Sequence, residues 1–79
     1  MKKKLSLSDR RYNYVLLAEE AYLRKEKERA IEFYKKAIQF KGDIGDDIAI
    51  LYNIAQIYDE IDKPIYAIET YKKIIDLDP

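Results

Sequence analysis

An internal repeat with a period of 37 residues is the feature that most constrains the fold of this sequence. The tripeptide Ala-Ile-Glu occurs at residues 30–32 and again at 67–69, and Tyr-Lys-Lys occurs at 34–36 and again at 71–73. A fixed period of about 20–50 residues is typical of repeat proteins, in which each unit buries its apolar face against the next unit. The chain is therefore predicted to contain two copies of one structural unit.

The composition restricts the chemistry that the chain can perform. Its 79 residues include no Cys, no His and no Trp, and two residues each of Gly and Pro. The absence of Cys excludes disulfides and thiolate metal sites from the stabilisation of the fold. The basic start at residues 1–4 is followed by polar residues rather than by the apolar segment of a signal peptide, and no run approaches the length of a membrane span. We therefore expect a cytoplasmic protein.

The charges are distributed unevenly although the net charge is zero. Residues 1–41 carry 12 basic and 6 acidic side chains, whereas residues 42–79 carry 3 basic and 9 acidic side chains. One interpretation is uneven placement of solvated charges, since such placement concerns solubility and association more than fold. The other is that the acidic end of one copy meets the basic end of another, head to tail.

Apolar residues at spacings of three and four predict four helices, over residues 9–24, 27–41, 46–60 and 64–76. Ser8 is a candidate N-cap for the first helix, and Asp46 or Asp47 for the third. Gly42 suits a left-handed position after the second helix, and Pro64 suits the first position of the fourth. Helices of this length are marginal alone in water, so they require packing partners.

The spacing within each unit resembles the tetratricopeptide repeat, a helix–turn–helix unit of 34 residues with the pattern W-x2-L-G-x2-Y, A-x3-F and P. The second unit places these residues at the pattern positions: Leu51, Ile54, Ala55, Tyr58, Ala67, Tyr71 and Pro79. The first unit places these: Tyr14, Leu17, Ala18, Ala21, Ala30, Tyr34 and Gly42. The period of 37 departs from the family's 34, and the additional residues are expected in the joint between the units.

The resemblance implies an all-α fold of four helices, arranged as two hairpins stacked in a short superhelix. The expected organisation is a basic lead-in at 1–8, a first repeat at 9–42, an inter-repeat loop at 43–47 and a second repeat at 48–79. Small residues inside the helices, such as Ala18 and Ala30, allow close approach, and the signature tyrosines and Leu17 are expected to fill the remaining core.

Catalysis is not expected. The hydroxyl-bearing residues other than tyrosine are Ser6, Ser8 and Thr70, and no general base lies at a recognisable spacing from them. No phosphate-binding glycine motif is present, so no cofactor is expected. The aspartates of 43–47 lack the calcium-loop pattern and are interpreted as charges that favour a helix start, so no metal is expected.

In the family that the chain resembles, the first helix of each repeat lines a concave groove that holds a peptide or partner segment. The residues that the resemblance places in this groove are predicted to bind a protein partner: Tyr12, Val15, Glu19, Tyr22, Tyr52, Asn53, Gln56 and Asp59. One subtype of the family grips a carboxylate with cations and asparagines, and of that set Asn53 alone has a counterpart here. The predicted groove residues are instead aromatic, amide-bearing and acidic, which suits a basic or apolar segment. The alternative is that these residues are merely solvated or are covered by parts of a longer protein.

Two repeats are fewer than a stable stack generally needs. The fourth helix therefore presents a candidate surface for self-association to a homo-oligomer, formed by Ile65, Ile68, Ile75 and Leu77. The sequence thus predicts a scaffold or adaptor module for protein–protein interaction. One alternative is a nucleic-acid-binding helical domain that uses the basic end, but the glutamates interleaved with its cations make nucleic acid an unfavoured partner. The other alternative is a purely structural fragment of a longer repeat array.

Overall fold

A computed structural model describes residues 7–78, with side chains from Arg10 onward, and shows an all-α chain of two helical hairpins. The helices are α1 (Leu7–Leu23), α2 (Lys27–Ile38), α3 (Ile44–Glu60) and α4 (Pro64–Leu77). In sequence order α1 packs on α2, α2 on α3, and α3 on α4. The predicted fold class is confirmed. The basic lead-in residues Lys2–Lys4, and Pro79, lie outside the described residues.

The turns inside the two hairpins have the same backbone conformation. Lys25 has φ 65° and Asp62, which lies 37 residues later, has φ 60°. In each turn the following amide reaches back across the helix end, from Glu26 to the carbonyl of Ala21 at 2.9 Å and from Lys63 to that of Tyr58 at 2.8 Å. A left-handed residue with these hydrogen bonds ends a helix and reverses the chain. The internal repeat therefore extends to the turn geometry.

The joint between the hairpins differs from the prediction. Helix α2 ends at Ile38 and α3 already begins at Ile44, with Asp43 in the N-cap conformation. The predicted loop at 43–47 is therefore wrong for most of its length, because Asp46 and Asp47 lie in the first turn of α3 instead of capping it. Negative charge is favourable in that turn, so the carboxylates stabilise the helix end without capping it.

Two further sequence expectations about helix ends are also wrong. Helix α1 begins at Leu7, so Ser8 lies inside the helix and is not its N-cap. Gly42 does not adopt the expected left-handed conformation. The expectation for Pro64 is confirmed, since it occupies the first turn of α4, where a missing amide hydrogen has no cost.

The core forms where the small residues let the helices approach. Ala18, Ala30, Ala37 and Ala55 are completely buried, as the sequence predicted, and Tyr34 closes the core with 5% exposure. The other signature tyrosines, at positions 14, 58 and 71, are only half-buried. The small alanine side chains let the two helices of each hairpin approach closely, and the resulting close packing stabilises the hairpin.

Leu17 and Ile54 occupy equivalent positions but differ in burial. Ile54 is 2% exposed because α2 covers it, whereas Leu17 is 42% exposed. The expectation that Leu17 fills the core is wrong, since no helix among residues 7–78 covers the outer face of α1. The repeat pattern identifies an interface position but does not determine whether a neighbour occupies it.

Candidate functional site

Helices α1 and α3 lie side by side and run in the same direction. Arg11 near the start of α1 pairs with Asp47 near the start of α3. At the other end the Tyr22 hydroxyl donates to the two carboxylate oxygens of Glu60, at 2.9 and 2.8 Å. These two cross-helix contacts define the ends of a groove along one face of the molecule.

The N-terminal half of the groove contains an open depression of about 460 Å³. Its walls come from α1, α3 and the joint that connects the hairpins. The residues that line it are Arg11, Tyr12, Val15, Gly42, Asp43, Asp46, Ala49, Ile50 and Asn53. We call this space the N-terminal depression. It combines an apolar floor with two carboxylates at its rim.

Arg11 is built into the wall of the N-terminal depression. The residue is 5% exposed, and one nitrogen of its guanidinium group binds Asp47. The guanidinium group passes directly over Gly42, in the space that the Cβ of any larger residue would occupy. A Cβ at Gly42 would therefore displace the Arg11 guanidinium group, whereas the backbone angle of Gly42 places no demand for glycine. The arrangement ties the first hairpin to the start of α3.

The C-terminal half of the groove contains a smaller depression of about 120 Å³, which we call the C-terminal depression. It is lined by Tyr22, Tyr34, Asn53, Gln56, Ile57 and Glu60. Asn53 lines both depressions, so they adjoin at this residue. Lys27 approaches Glu60 at 3.3 Å and partly neutralises it. Polar groups dominate this half of the groove.

Three tyrosines on or beside the groove have pKa values raised above the ordinary 10.0, and each lies close to a carboxylate. For Tyr22 the main cause is its hydrogen bond to Glu60. Burial is the main cause for Tyr34 and for Tyr71, followed by the negative charges of Glu19 and Asp59 respectively. A negative neighbour disfavours the tyrosinate and raises the pKa. Negative neighbours therefore add to the raised pKa of all three tyrosines, although burial contributes most for Tyr34 and Tyr71.

The structure brings five of the eight predicted binding residues into the two depressions. Tyr12 and Val15 line the first, Tyr22 and Gln56 line the second, and Asn53 lines both. The other three predicted residues, Glu19, Tyr52 and Asp59, are exposed outside both depressions. That any of the eight binds a partner stays a prediction.

Arg11 is a residue of the groove that sequence reasoning missed, because its charge groups it with the basic patch of the nucleic-acid alternative, which comprises Lys2–Lys4, Arg10, Arg11 and the cations of residues 24–29. The signal was the helical spacing, because Arg11 lies three and seven residues before Tyr14 and Ala18 and shares their inward face. Of the remaining patch, Arg24 pairs with Glu20 at 3.0 Å, and Arg29 lies 5.7 Å from the centre of the Phe33 ring.

Two further features bear on the function classes that the sequence raised. Over residues 10–78, the aspartates near the start of α3 do not form a group of three acidic ligands that could hold a metal ion. None of the four described helices has the length and apolar character needed to cross a membrane. The cytoplasmic location stays a prediction.

Comparison with known families identifies the repeat. The tetratricopeptide repeat model matches residues 12–44 and 48–79, which together make up most of the chain. The chain belongs to the tetratricopeptide repeat family. Searches of curated proteins and of solved structures returned no match. Tetratricopeptide repeats are non-catalytic scaffolds for protein–protein interaction, and this is the general function that the match supports.

The two tetratricopeptide repeats of this chain are longer than the family pattern because of their first helices. Helices α1 and α3 each contain 17 residues, and their bounds, 7–23 and 44–60, are related by the period of 37. The three residues between the matched segments, 45–47, lie in the first turn of α3. The additional residues therefore extend a groove-lining helix by nearly one turn of 3.6 residues, and the expectation that they lie in the joint is wrong.

Proposed function

We propose that this tetratricopeptide repeat protein binds a basic, partly apolar segment of another protein in the groove between α1 and α3. The observation that supports this most is the charge of α3 and its flanks. Residues 42–62 contain six acidic side chains and no basic one. A groove of one sign raises the local concentration of ligands of the opposite sign and selects among partners.

The C-terminal end of the groove is the expected position for a lysine or arginine of the partner. Helices α1 and α3 are parallel, so the negative ends of both helix dipoles meet there. Asp59 and Glu60 add two carboxylates in the last turn of α3, which contains no basic residue. Negative side chains at this end of a helix are unfavourable for the helix itself. Lys27 offsets part of this charge through Glu60, at 3.3 Å, and a bound cation of the partner would offset the remainder.

The N-terminal depression is the expected position for an apolar side chain of the partner. Val15, Ala49 and Ile50 supply an apolar floor, and Tyr12 supplies an exposed ring at its edge. Tyr52 lies outside the depression on the same helix, α3, and its exposed ring packs edge-to-face against Tyr71 of α4, at 5.9 Å between ring centres. Rigid aromatic side chains provide contact area with little loss of conformational entropy.

The nucleic-acid alternative receives less support from the structure. Arg11 is buried and neutralised by Asp47, and the acidic groove would repel phosphates. Affinity for nucleic acid depends on accessible cations that neutralise several phosphates. Of the cations in residues 10–78, Arg24 and Arg29 already contact glutamates on their own hairpin, at 3.0 and 3.8 Å.

An unbiased selection from a displayed peptide library tests the proposal. The protein should enrich peptides that combine Lys or Arg with one apolar or aromatic residue, and added salt should weaken their binding because exposed charges are screened. The variant Tyr52→Ala/Gln56→Ala should then lose about tenfold or more in affinity for a selected peptide, measured by calorimetry, which corresponds to about 1.4 kcal/mol.

A matched control separates loss of the groove from loss of the fold. Tyr66 on α4 is as exposed as Tyr52 and also contacts one tyrosine, at 5.4 Å between ring centres with Tyr58. Gln39 is an exposed glutamine outside the groove. Tyr66→Ala/Gln39→Ala should retain full affinity. Enrichment of acidic peptides, or equal losses in the two double variants, would overturn the proposal.

A further inference from the structure

A row of exposed isoleucines on α4 forms a surface separate from the groove. Ile65, Ile68 and Ile75 are 69%, 53% and 62% exposed. Their row also includes Lys72, and the four residues follow the spacing of three, four and three that characterises a coiled-coil seam. We call these four residues the α4 stripe.

In the first hairpin, the residues equivalent to two isoleucines of the α4 stripe are covered by a neighbouring helix. Ile31 and Ile38 of α2 precede Ile68 and Ile75 by 37 residues. Ile31 is 5% exposed and Ile38 is partly buried, since α3 packs across both. The positions of Ile68 and Ile75 are therefore an interhelical contact in the first hairpin and uncovered by residues 7–78 in the second, whereas the equivalents of Ile65 and Lys72, Glu28 and Lys35, are exposed.

A second copy cannot cover the α4 stripe by repeating the joint between α2 and α3. In that joint α3 contributes Ile50 and Ile57, which are buried, and Ile61 directly after the helix is partly buried. The equivalent positions of the first hairpin carry exposed polar residues: Asn13 and Glu20 in α1, and Arg24 directly after it. Although Leu17 on the outer face of α1 is apolar and exposed, this contact would also bury Asn13 and the Glu20–Arg24 ion pair, and taking that pair out of water would be costly.

The α4 stripe is instead complementary to itself. In an antiparallel pair centred near Thr70, Ile65 of one copy lies opposite Ile75 of the other, and Lys72 comes within reach of Glu69 of the partner subunit. Helix α4 contains two basic side chains, Lys72 and Lys73, and two acidic ones, Glu69 and Asp76, so it carries no net charge. Two copies of α4 therefore meet without net repulsion.

We propose that two copies of this protein pair through their α4 stripes, with the two helices antiparallel. The pairing is isologous, the arrangement most common in protein dimers, and it leaves both grooves open. Two helices of 14 residues bury less surface than the 1,200 Å² or so of stable complexes, so we expect association in the micromolar to millimolar range.

Leu77 does not belong to this interface, although the sequence grouped it with the three isoleucines. It lies on the other flank of α4, where it lines a depression of about 410 Å³ together with Ile38 and Leu51. The helical rotation between Ile75 and Leu77, about 100° per residue, separates the two faces. The proposal therefore predicts that Leu77→Ala leaves self-association unchanged.

Sedimentation equilibrium at protein concentrations up to about 1 mM tests the pairing. The wild-type chain should form a monomer–dimer equilibrium, and Ile68→Glu should raise the dissociation constant at least tenfold. Ile44→Glu is the matched control, because Ile44 is 57% exposed and lies at the start of α3, away from the stripe. It should dimerise as the wild type does, and both variants should keep the same far-ultraviolet circular dichroism.

Charge reversal distinguishes this pairing from the other arrangements. Glu69→Lys and Lys72→Glu should each weaken the dimer, and the double variant should restore it. A strict monomer at the highest concentration would overturn the proposal and leave the stripe to a different partner. Open-ended growth beyond the dimer would also overturn it, because it indicates head-to-tail assembly.

Discussion

The ion pair between Arg11 and Asp47 provides a sharp quantitative test of how the two hairpins are joined. The Arg11 side chain is 6% exposed and that of Asp47 is 25% exposed. Two further nitrogens of the guanidinium group, Nε and Nη1, are buried with no hydrogen-bond partner among the described residues. Asp47 is therefore the group that compensates the buried positive charge.

The variant Asp47→Asn keeps the shape of the side chain and removes its charge. Removing one partner of a fully buried pair costs about 3–5 kcal/mol, because the other charge is left uncompensated. Since a quarter of the Asp47 side chain faces solvent, which screens the interaction, we expect a loss of about 2–3 kcal/mol. For a domain of this size that loss lowers the melting temperature by about 10–20 °C.

The variant Arg11→Met removes the charge and retains the volume that covers Gly42. Replacing a buried ionic group by an apolar one of similar size is often neutral or stabilising. We therefore expect Arg11→Met to change the unfolding free energy by less than about 1 kcal/mol. In the Arg11→Met background the loss caused by Asp47→Asn should shrink to less than about 1 kcal/mol, because no buried cation remains to be compensated.

Urea unfolding followed by circular dichroism gives the four free energies of this double-mutant cycle. The m-value should remain constant across the set if only native-state stability changes. Additive losses, with Asp47→Asn equally harmful in both backgrounds, would refute the conclusion that this pair carries the contact between α1 and α3.

Three further predictions follow from individual positions. Ala67→Leu should overpack the contact between α3 and α4 and lower the unfolding free energy by about 1–3 kcal/mol, whereas Ala49→Leu in the open groove should leave the unfolding free energy unchanged. Equal melting temperatures for the two variants would contradict this prediction. Lys25→Gly should raise stability by about 0.5–1 kcal/mol, since Lys25 is strained at φ 65°; a destabilised variant in urea unfolding would count against that strain. The raised pKa of Tyr22 means that its hydrogen bond to Glu60 stabilises the fold below pH 10.0, and that this stabilisation is lost as the pH rises through the higher folded-state pKa. In an absorbance titration, the wild type should show one more late-titrating tyrosine than the variant Tyr22→Phe. Ionisation of Tyr22 at or below pH 10.0 would contradict the contact.

The repeat architecture could be predicted from sequence because its determinants are local and occur twice. Buried alanines such as Ala18 and Ala55 recur at the same spacing, and Pro64 marks a helix start by its own covalent structure. The first residue of α3 could not be predicted from the sequence, because Asp43, Asp46 and Asp47 are all favourable at or near the N-terminus of a helix. Local preference alone does not choose among them.

The candidate site was only partly predictable because it depends on contacts between the repeats. The family pattern assigned residues to the first helices, and Asn53 and Gln56 do line the groove. The pattern did not reveal that Arg11 crosses Gly42 to reach Asp47, since that contact spans 36 residues and requires the parallel packing of α1 and α3. Nor could it show that Leu17 is exposed, because burial depends on a neighbouring helix.

Amide chemical-shift mapping of the isotope-labelled protein with a selected basic peptide tests the central claim most directly, since it locates the bound segment without any substitution. The account predicts that the largest shifts fall on groove residues, with Tyr22, Asn53 and Gln56 among them, while Ile68 on α4 is unaffected at concentrations where the chain is monomeric. Shifts that concentrate on α2 or α4, and leave the groove unchanged, would contradict the account.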